Sequence, residues 1–138
     1  MRAWWGENDA ASVREELHVA WAIEVDGALA GQLLIHEETE PDYPSVAFDI
    51  VLATRFHGRG LGAEALRIAV RRMIAKGHHR FTIDPTVSNV AAIKSYVSVG
   101  FRPVGILRQS ERDPDRSADP PFRDALLMDL LAGELIEG

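Results

Sequence analysis

The stretch DIVLATRFHGRGLGAEALRIAVRRMIAKG, residues 49–77, sets Gly58, Gly60 and Gly62 between an apolar run and an amphipathic one. Glycines at a helix start let a ligand come close to backbone N–H groups, which are unpaired in the first turn and lie at the positive end of the dipole. Such a start can cradle a phosphate or pyrophosphate. Arg55, Arg59 and the cationic face of the segment that follows favour a multiply charged anion there. Two carboxylates offer a different chemistry. Asp49 interrupts the strand-like VAFDIVLA, where alternation puts Val46, Phe48, Ile50 and Leu52 on one face and Ala47, Asp49 and Val51 on the other. A mid-strand carboxylate is costly if buried alone, so Asp49 needs a wet cleft or a partner. Asp84 closes RFTID just before Pro85, at the C-terminal end of its strand, where α/β sheets collect ligands. Its plainer role is an Asp-Pro turn that stops the strand.

The glycines admit a rival reading. Gly58-x-Gly60-x-x-Ala63 fits a dinucleotide fingerprint, and Asp84 lies where a ribose-binding acid belongs. Against it, Thr54, Arg55, Phe56 and His57 separate the strand from the first glycine. A hairpin precedes it instead of a βαβ unit, and too little chain follows for a doubly wound sheet.

These residues must be positioned by a mixed α/β domain of 138 residues, read as a single domain over 1–138. Residues 7–17 read as a short helix capped by Asn8 or Asp9. Residues 18–38 read as a β-hairpin turning at Asp26-Gly27. A strand is expected over 46–53 and a helix over 60–77, with Leu61, Leu66, Ala69, Val70, Met73 and Ile74 on its apolar stripe and Gly77 past its end. Then come a strand at 80–84, a helix at 88–100 with Ser88 as cap, and strands at 101–109 and 122–131. The charged, Pro-rich segment between the last two reads as a loop.

Charge is unevenly placed. Net charge is −6, yet residues 1–49 hold eleven acids against two bases, and residues 55–108 hold ten bases against two acids. The two faces either attract each other in the fold or serve two ligands of opposite sign. Glu37, Glu38, Glu40 and Asp42 form an acidic run that reads as a solvated loop or as a lip for a cation. There is no cysteine, which excludes disulfides, thiolate metal sites and a cysteine nucleophile. His78-His79 lacks a third ligand at suitable spacing, so no metal is expected. Without an apolar spanning run or signal core the expectation is a cytoplasmic protein with no membrane role. An acidic chain with no aromatic-basic platform is not expected to bind nucleic acid.

HGRGLGAEAL followed by IDPTVSNVAAIKSYVSVGFRPVG resembles the GCN5-related N-acetyltransferase (GNAT) superfamily over roughly residues 18–129. The resemblance implies a mostly antiparallel sheet splayed at two parallel strands, 46–53 and 80–84. Acetyl-coenzyme A would lie in the splay along Val51 and Leu52, with its pyrophosphate on the amides of about Arg59 to Ala63, next to Gly58, Gly60, Leu61 and Gly62. The family writes Q/R-x-x-G-x-G/A. With Gly60 and Gly62 as its glycines the first position is His57; Arg55 fits only the register of Gly58 and Gly60. Within the superfamily, IDPTVSNVAAIKSYVSVGF, Trp4-Trp5-Gly6, the aspartate in FDIVLA and Asp84-Pro85 look most like the aminoglycoside 6′-N-acetyltransferases and related siderophore acyltransferases.

The implied reaction is attack of an amine on a thioester. The resemblance makes Asp49 the first choice of base, with Asp84 as the other candidate or as an ammonium ligand. Tyr96 would be the acid for the departing thiolate, although its helix position also suits core packing. Asn89 would bond the pantetheine arm or simply cap its helix. Trp5, Glu37 and Glu38, with Asp49 and Asp84, would line the site of a small cationic acceptor, an aminoglycoside first. A siderophore-type or protein N-terminal acyltransferase, or a non-catalytic acyl-coenzyme A-binding domain, are the alternatives. Trp4-Trp5 comes earlier than the superfamily's usual first strand and helix allow, so either the start codon is placed too late or the domain lacks its first strand; without that strand the bare sheet edge would favour a homodimer or instability.

Overall fold

A computed structural model describes residues 16–138, and side chains from Val19 onward. The hairpin forms as read: β1 (Glu16–Val25) and β2 (Ala28–Glu38) turn at Asp26 and Gly27, whose φ angles of 51° and 80° give the doubly left-handed turn that matches strand twist. The helix expected at 7–17 falls largely outside the described residues; its last two positions, Glu16 and Leu17, belong to β1. Next come β3 (Ser45–Leu52), α1 (Leu61–Ala75), β4 (Arg80–Ile83), α2 (Val90–Val99), β5 (Arg102–Arg112) and β6 (Phe122–Leu131). The six strands form one sheet in the order β1-β2-β3-β4-β6-β5. Every neighbouring pair is antiparallel except β3 and β4.

That parallel seam is short. Val46, Ala47 and Phe48 face Phe81, Thr82 and Ile83, and pairing stops there. From Asp49 and Asp84 onward the two strands part, as the resemblance implied. β3 keeps its other neighbour to the end, with Leu52 opposite Gly31. A Cβ at Gly31 would lie 2.0 Å from the carbonyl oxygen of Val51, so only glycine lets β2 press this close to the end of β3.

Alternation sorts the sheet into two faces. Trp21, Ile23, Leu33, Ile35, Val46, Phe48, Phe81, Ile83, Met128 and Leu130 are buried in one core with Leu66, Ala69, Val70 and Met73 of α1 and with Tyr96 and Val99 of α2. Phe48 and Phe81 stack across the seam, centroids 6.0 Å apart. Ala47, Asp49, Val51, Thr82 and Asp84 lie on the opposite face by the same alternation. The apolar stripe of α1 explains its burial: 3.6-residue spacing gathers Leu66, Ala69, Val70 and Met73 on one side. Gly77 ends this helix at φ 106°, and Gly100 ends α2 at φ 119°. At Gly100 a Cβ would also meet the carbonyl oxygen of Glu134 at 2.5 Å, where the chain after β6 crosses back.

Candidate active site

The loop after β3 turns twice on glycines. Residues 54–56 make one 3-10 turn, and Gly58 and Gly60 then adopt φ 78° and 72°. Gly60 is the N-cap of α1, and no side chain caps that end. The first intrahelical bond runs from Glu64 N–H to Gly60 O, 3.0 Å. The amides of the preceding turn are therefore left to an anion or to water. They border a groove of about 500 Å³ lined by Ile50, Leu52, His57, Gly58, the stretch 60–63, and the facing side of α2. A Cβ on Gly62 would come only to 3.7 Å from the side chain of Ile50 and 3.9 Å from that of Leu52. The groove thus meets a bare backbone at the point where phosphates would sit, and the residues fit a pyrophosphate-bearing ligand.

His57 lines the groove and is also tied to the strand before it. Its Nε2 lies 2.9 Å from the carbonyl oxygen of Leu52, which ties the glycine turn back to the end of β3. Arg55 and Arg59 both stack on the ring of Phe56, at 4.7 and 5.3 Å from its centroid. Phe56 is buried, so the two guanidinium groups are anchored beside the loop but do not line the groove itself.

A second cavity, of about 280 Å³, opens where β3 and β4 part. Asp49, Val51, Asp84 and Thr86 line it, and Ile50, Asn89 and Tyr96 are shared with the first groove. The two spaces meet at Tyr96. Asp49 is exposed in this cleft, which resolves the cost of a mid-strand carboxylate by solvation. Partial burial, then the carboxylates of Asp49 and Glu111, push the pKa of Asp84 above the ordinary aspartate value. Tyr96 is 7% exposed, set edge-on to Phe101 at 6.5 Å. Burial, with the negative charge of Asp49, pushes its phenol up to about 12. The phenol therefore stays protonated at neutral pH.

Asn89, not Ser88, caps α2: its Oδ1 accepts from Ala92 N–H at 3.2 Å. Ser and Asn are near-equal caps, so the choice is made by where the preceding turn ends. The capping bond uses the side-chain carbonyl of Asn89, a residue on the wall shared by both spaces.

The acidic lip is not assembled as expected. Glu37 pairs with Val46, on the buried face, and is 3% exposed. Lys76 Nζ lies 2.8 and 2.9 Å from its two oxygens, and His78 Nε2 lies 2.8 Å from Oε1. Burial would raise its pKa, but the bonds and charges of Lys76 and His78 outweigh that and hold it below the usual glutamate value. Glu37 ties β2 to the end of α1, on the other side of the sheet from Asp49. Glu38 shares the face of Asp49 but stands four residues along from Leu34, the partner of Asp49, roughly 13 Å away. Trp5 lies outside the described residues. Sequence reading missed Thr86, Glu111 and Arg123 on the second cavity and Lys94, Ser95 and Ser98 on the first. Only alternation in β3, which sends Ile50 and Leu52 to the groove, carried a usable signal. Among the described residues no group of three or more histidine or acidic side chains converges to hold a metal ion, and no helix is long and apolar enough to cross a membrane.

Known proteins resemble this chain in sequence or in fold. The mycothiol acetyltransferase of Corynebacterium aurimucosum is 33% identical over 66 residues, 48% of this chain and 21% of its own length. The structure of Mycobacterium smegmatis RimJ in complex with CoA-disulfide aligns with a TM-score of 0.74 at 27% identity, over 94% of this chain and 59% of that one. A spermidine N-acetyltransferase SpeG chimera from Vibrio cholerae and hSSAT shares the fold, with a TM-score of 0.71 at 20% identity over 86% of this chain and 71% of that one. The chain spans about one fifth of the curated relative it matches. Residues 2–101 match the family model of the acetyltransferase (GNAT) family, and the chain belongs to that family.

Proposed function

We propose that the protein transfers the acetyl group of acetyl-coenzyme A to a primary amine of a small cationic acceptor, an aminoglycoside 6′-amine being the first to test. The observation that supports this most is the meeting of two unlike spaces at Tyr96: an uncapped helix start on one side and a carboxylate-lined cavity on the other. The RimJ structure in complex with CoA-disulfide supports a coenzyme A reading of the groove. Acetyl-coenzyme A supplies the thioester carbonyl that an amine attacks.

The chain's own residues do the rest. The amides at the start of α1 hold the pyrophosphate, with the Asn89 amide on the arm between. At neutral pH only about one alkylamine in 2,500 is unprotonated, so a carboxylate must take a proton. Asp49, solvated and facing the cavity, is that base; Asp84 beside it holds the incoming ammonium. As the N–C bond forms and the C–S bond breaks, the Tyr96 hydroxyl gives its proton at the departing sulfur, and the second proton lost by the attacking nitrogen restores that hydroxyl. General acid–base help of this kind is worth about 10²–10⁴-fold, and positioning adds to it.

Thiol release is measured with aminoglycosides, polyamines and N-terminal peptides for wild type, Asp49→Asn and Tyr96→Phe. We expect turnover with a cationic amine, a fall of about 10²-fold or more in Asp49→Asn, and about 10-fold or more in Tyr96→Phe with coenzyme A affinity retained. Turnover on none of them, with coenzyme A still bound, overturns the reading in favour of a non-catalytic acyl-coenzyme A-binding domain. Turnover that survives Asp49→Asn moves the base to Asp84 or to water.

A further inference from the structure

Part of the lining of the acidic cavity comes from an irregular stretch of β5. Pairing with β6 runs to Leu107 opposite Ala125 and resumes at Glu111 opposite Arg123, so four residues advance on β5 for two on β6. Within this bulge Gln109 takes φ 49°, and its N–H donates to Asp124 Oδ1 at 2.8 Å. The backbone carbonyl of Asp124 accepts from Val87 N–H at 3.0 Å. One residue thus fixes both the bulge and the loop that follows Asp84. Bulges re-aim side chains, and a left-handed non-glycine residue persists only where its surroundings impose it. The result here is that Glu111 reaches the cavity wall.

Glu111 is loosely held there. Arg123 Nη2 stands 3.6 Å from its Oε1, beyond hydrogen-bond length, and the Glu111 side chain is 51% exposed. Arg123 Nε is buried without a hydrogen-bond partner. An ion pair this long and this wet contributes little, so Glu111 can take another cation at small cost.

The charge balance of the cavity says which cation. Its charged lining residues are Asp49, Asp84 and Glu111 against Arg123, two negative charges in excess. These carboxylates do not converge on one point as a metal site would. They suit a ligand whose positive charges are spread over its length. Asp49 lies on β3 where it parts from β4, Asp84 just past the end of β4, and Glu111 on β5.

We propose that Glu111 determines acceptor specificity by binding a second ammonium of a di- or polyamine, at a distance from the amine that is acetylated. This rests on the acetyl-transfer reading above and names the class of acceptor. Asp124 is a positioning residue for it, acting through the Gln109 bulge.

The test compares kcat/KM for matched straight-chain monoamines and α,ω-diamines, on wild type, Glu111→Gln and Glu111→Asp, with coenzyme A affinity followed by calorimetry and folding by thermal melting. Wild type is expected to prefer diamines. Glu111→Gln should lower kcat/KM about tenfold more for diamines than for monoamines. Glu111→Asp should keep part of the preference and move it to a longer diamine. Glu111 is half exposed, so neither variant threatens the fold. Equal turnover of the two series by wild type, or an equal fall in both on Glu111→Gln, overturns the proposal while leaving acetyl transfer intact. If wild type acetylates neither series, this proposal falls, while the acetyl-transfer reading stands or falls separately on the aminoglycoside and peptide acceptors.

Discussion

His57 and Leu52 are joined across the loop that separates strand from helix, ring nitrogen to carbonyl oxygen at 2.9 Å. The bond holds the glycine turn against the end of β3, so that the amides at the start of α1 keep a fixed distance from the strand beside which the thioester would lie. His57→Ala should weaken coenzyme A binding by about 5-fold, the worth of one exposed hydrogen bond of about 1 kcal/mol, with little change in acceptor KM. Titration calorimetry checks it. Unchanged affinity would show that the turn holds itself.

Two glycines in the same loop should separate backbone strain from ligand approach. Gly60 is left-handed at φ 72°, and a Cβ there meets nothing within 4 Å. Gly60→Ala should cost about 1–2 kcal/mol in stability, from conformation alone. Gly62 lies inside α1, and its Cβ would reach only ordinary contact distance from Ile50 and Leu52. Gly62→Ala should keep or slightly raise the melting temperature while lowering coenzyme A affinity, because the methyl enters the groove. Equal effects of both changes on both readouts would contradict this division.

Glu37 should behave as a structural ion, not as an acceptor ligand. Glu37→Gln leaves partly buried His78 without its carboxylate partner, although half-exposed Lys76 can turn to water. A loss of about 3 kcal/mol is expected, with KM for the amine unaffected. The pKa of Glu37 is lowered in the folded state, so its contribution is full above the unfolded value and is lost as pH falls through the folded one. The gap between wild type and variant should therefore narrow on acidification, read from denaturant melts across pH.

Asp84 should give the opposite sign. Its pKa is raised, so the folded state binds the proton more tightly than the unfolded one, and stability is lost as pH rises through the folded value. Asp84→Asn should therefore stabilise the protein at neutral pH and be neutral below the ordinary carboxylate range. The same change should lower kcat/KM for a cationic acceptor. A variant that is less stable at pH 7 would mean that the carboxylate is paired in solution.

Much of this was written in local pattern. Asp26-Gly27 fixes a hairpin turn, the apolar spacing from Leu61 to Met73 fixes a helix, and Gly77 and Gly100 fix where helices end. The alternation of β3 separates Asp49 from Ile50 and Leu52. The same alternation in β2 sets Glu37 with Leu33 and Ile35, but its partners lie some forty residues on, and no local signal joins them. The bulge on β5 was invisible for another reason. Its left-handed residue is Gln109, not glycine, and it is imposed by Asp124 from the neighbouring strand. That is why β5 runs to Arg112 and not to 109, and why no local pattern marks Glu111.

The seam between β3 and β4 has a mechanical consequence. Three residue pairs join them, against eight between β2 and β3. A load drawing β1 away from β5 meets fewest interstrand bonds there, and the sheet would unzip along the line where its two cavities open. A molecule bridging both lips of that line would act as a rivet, raising the rupture force at the seam more than anywhere else in the sheet.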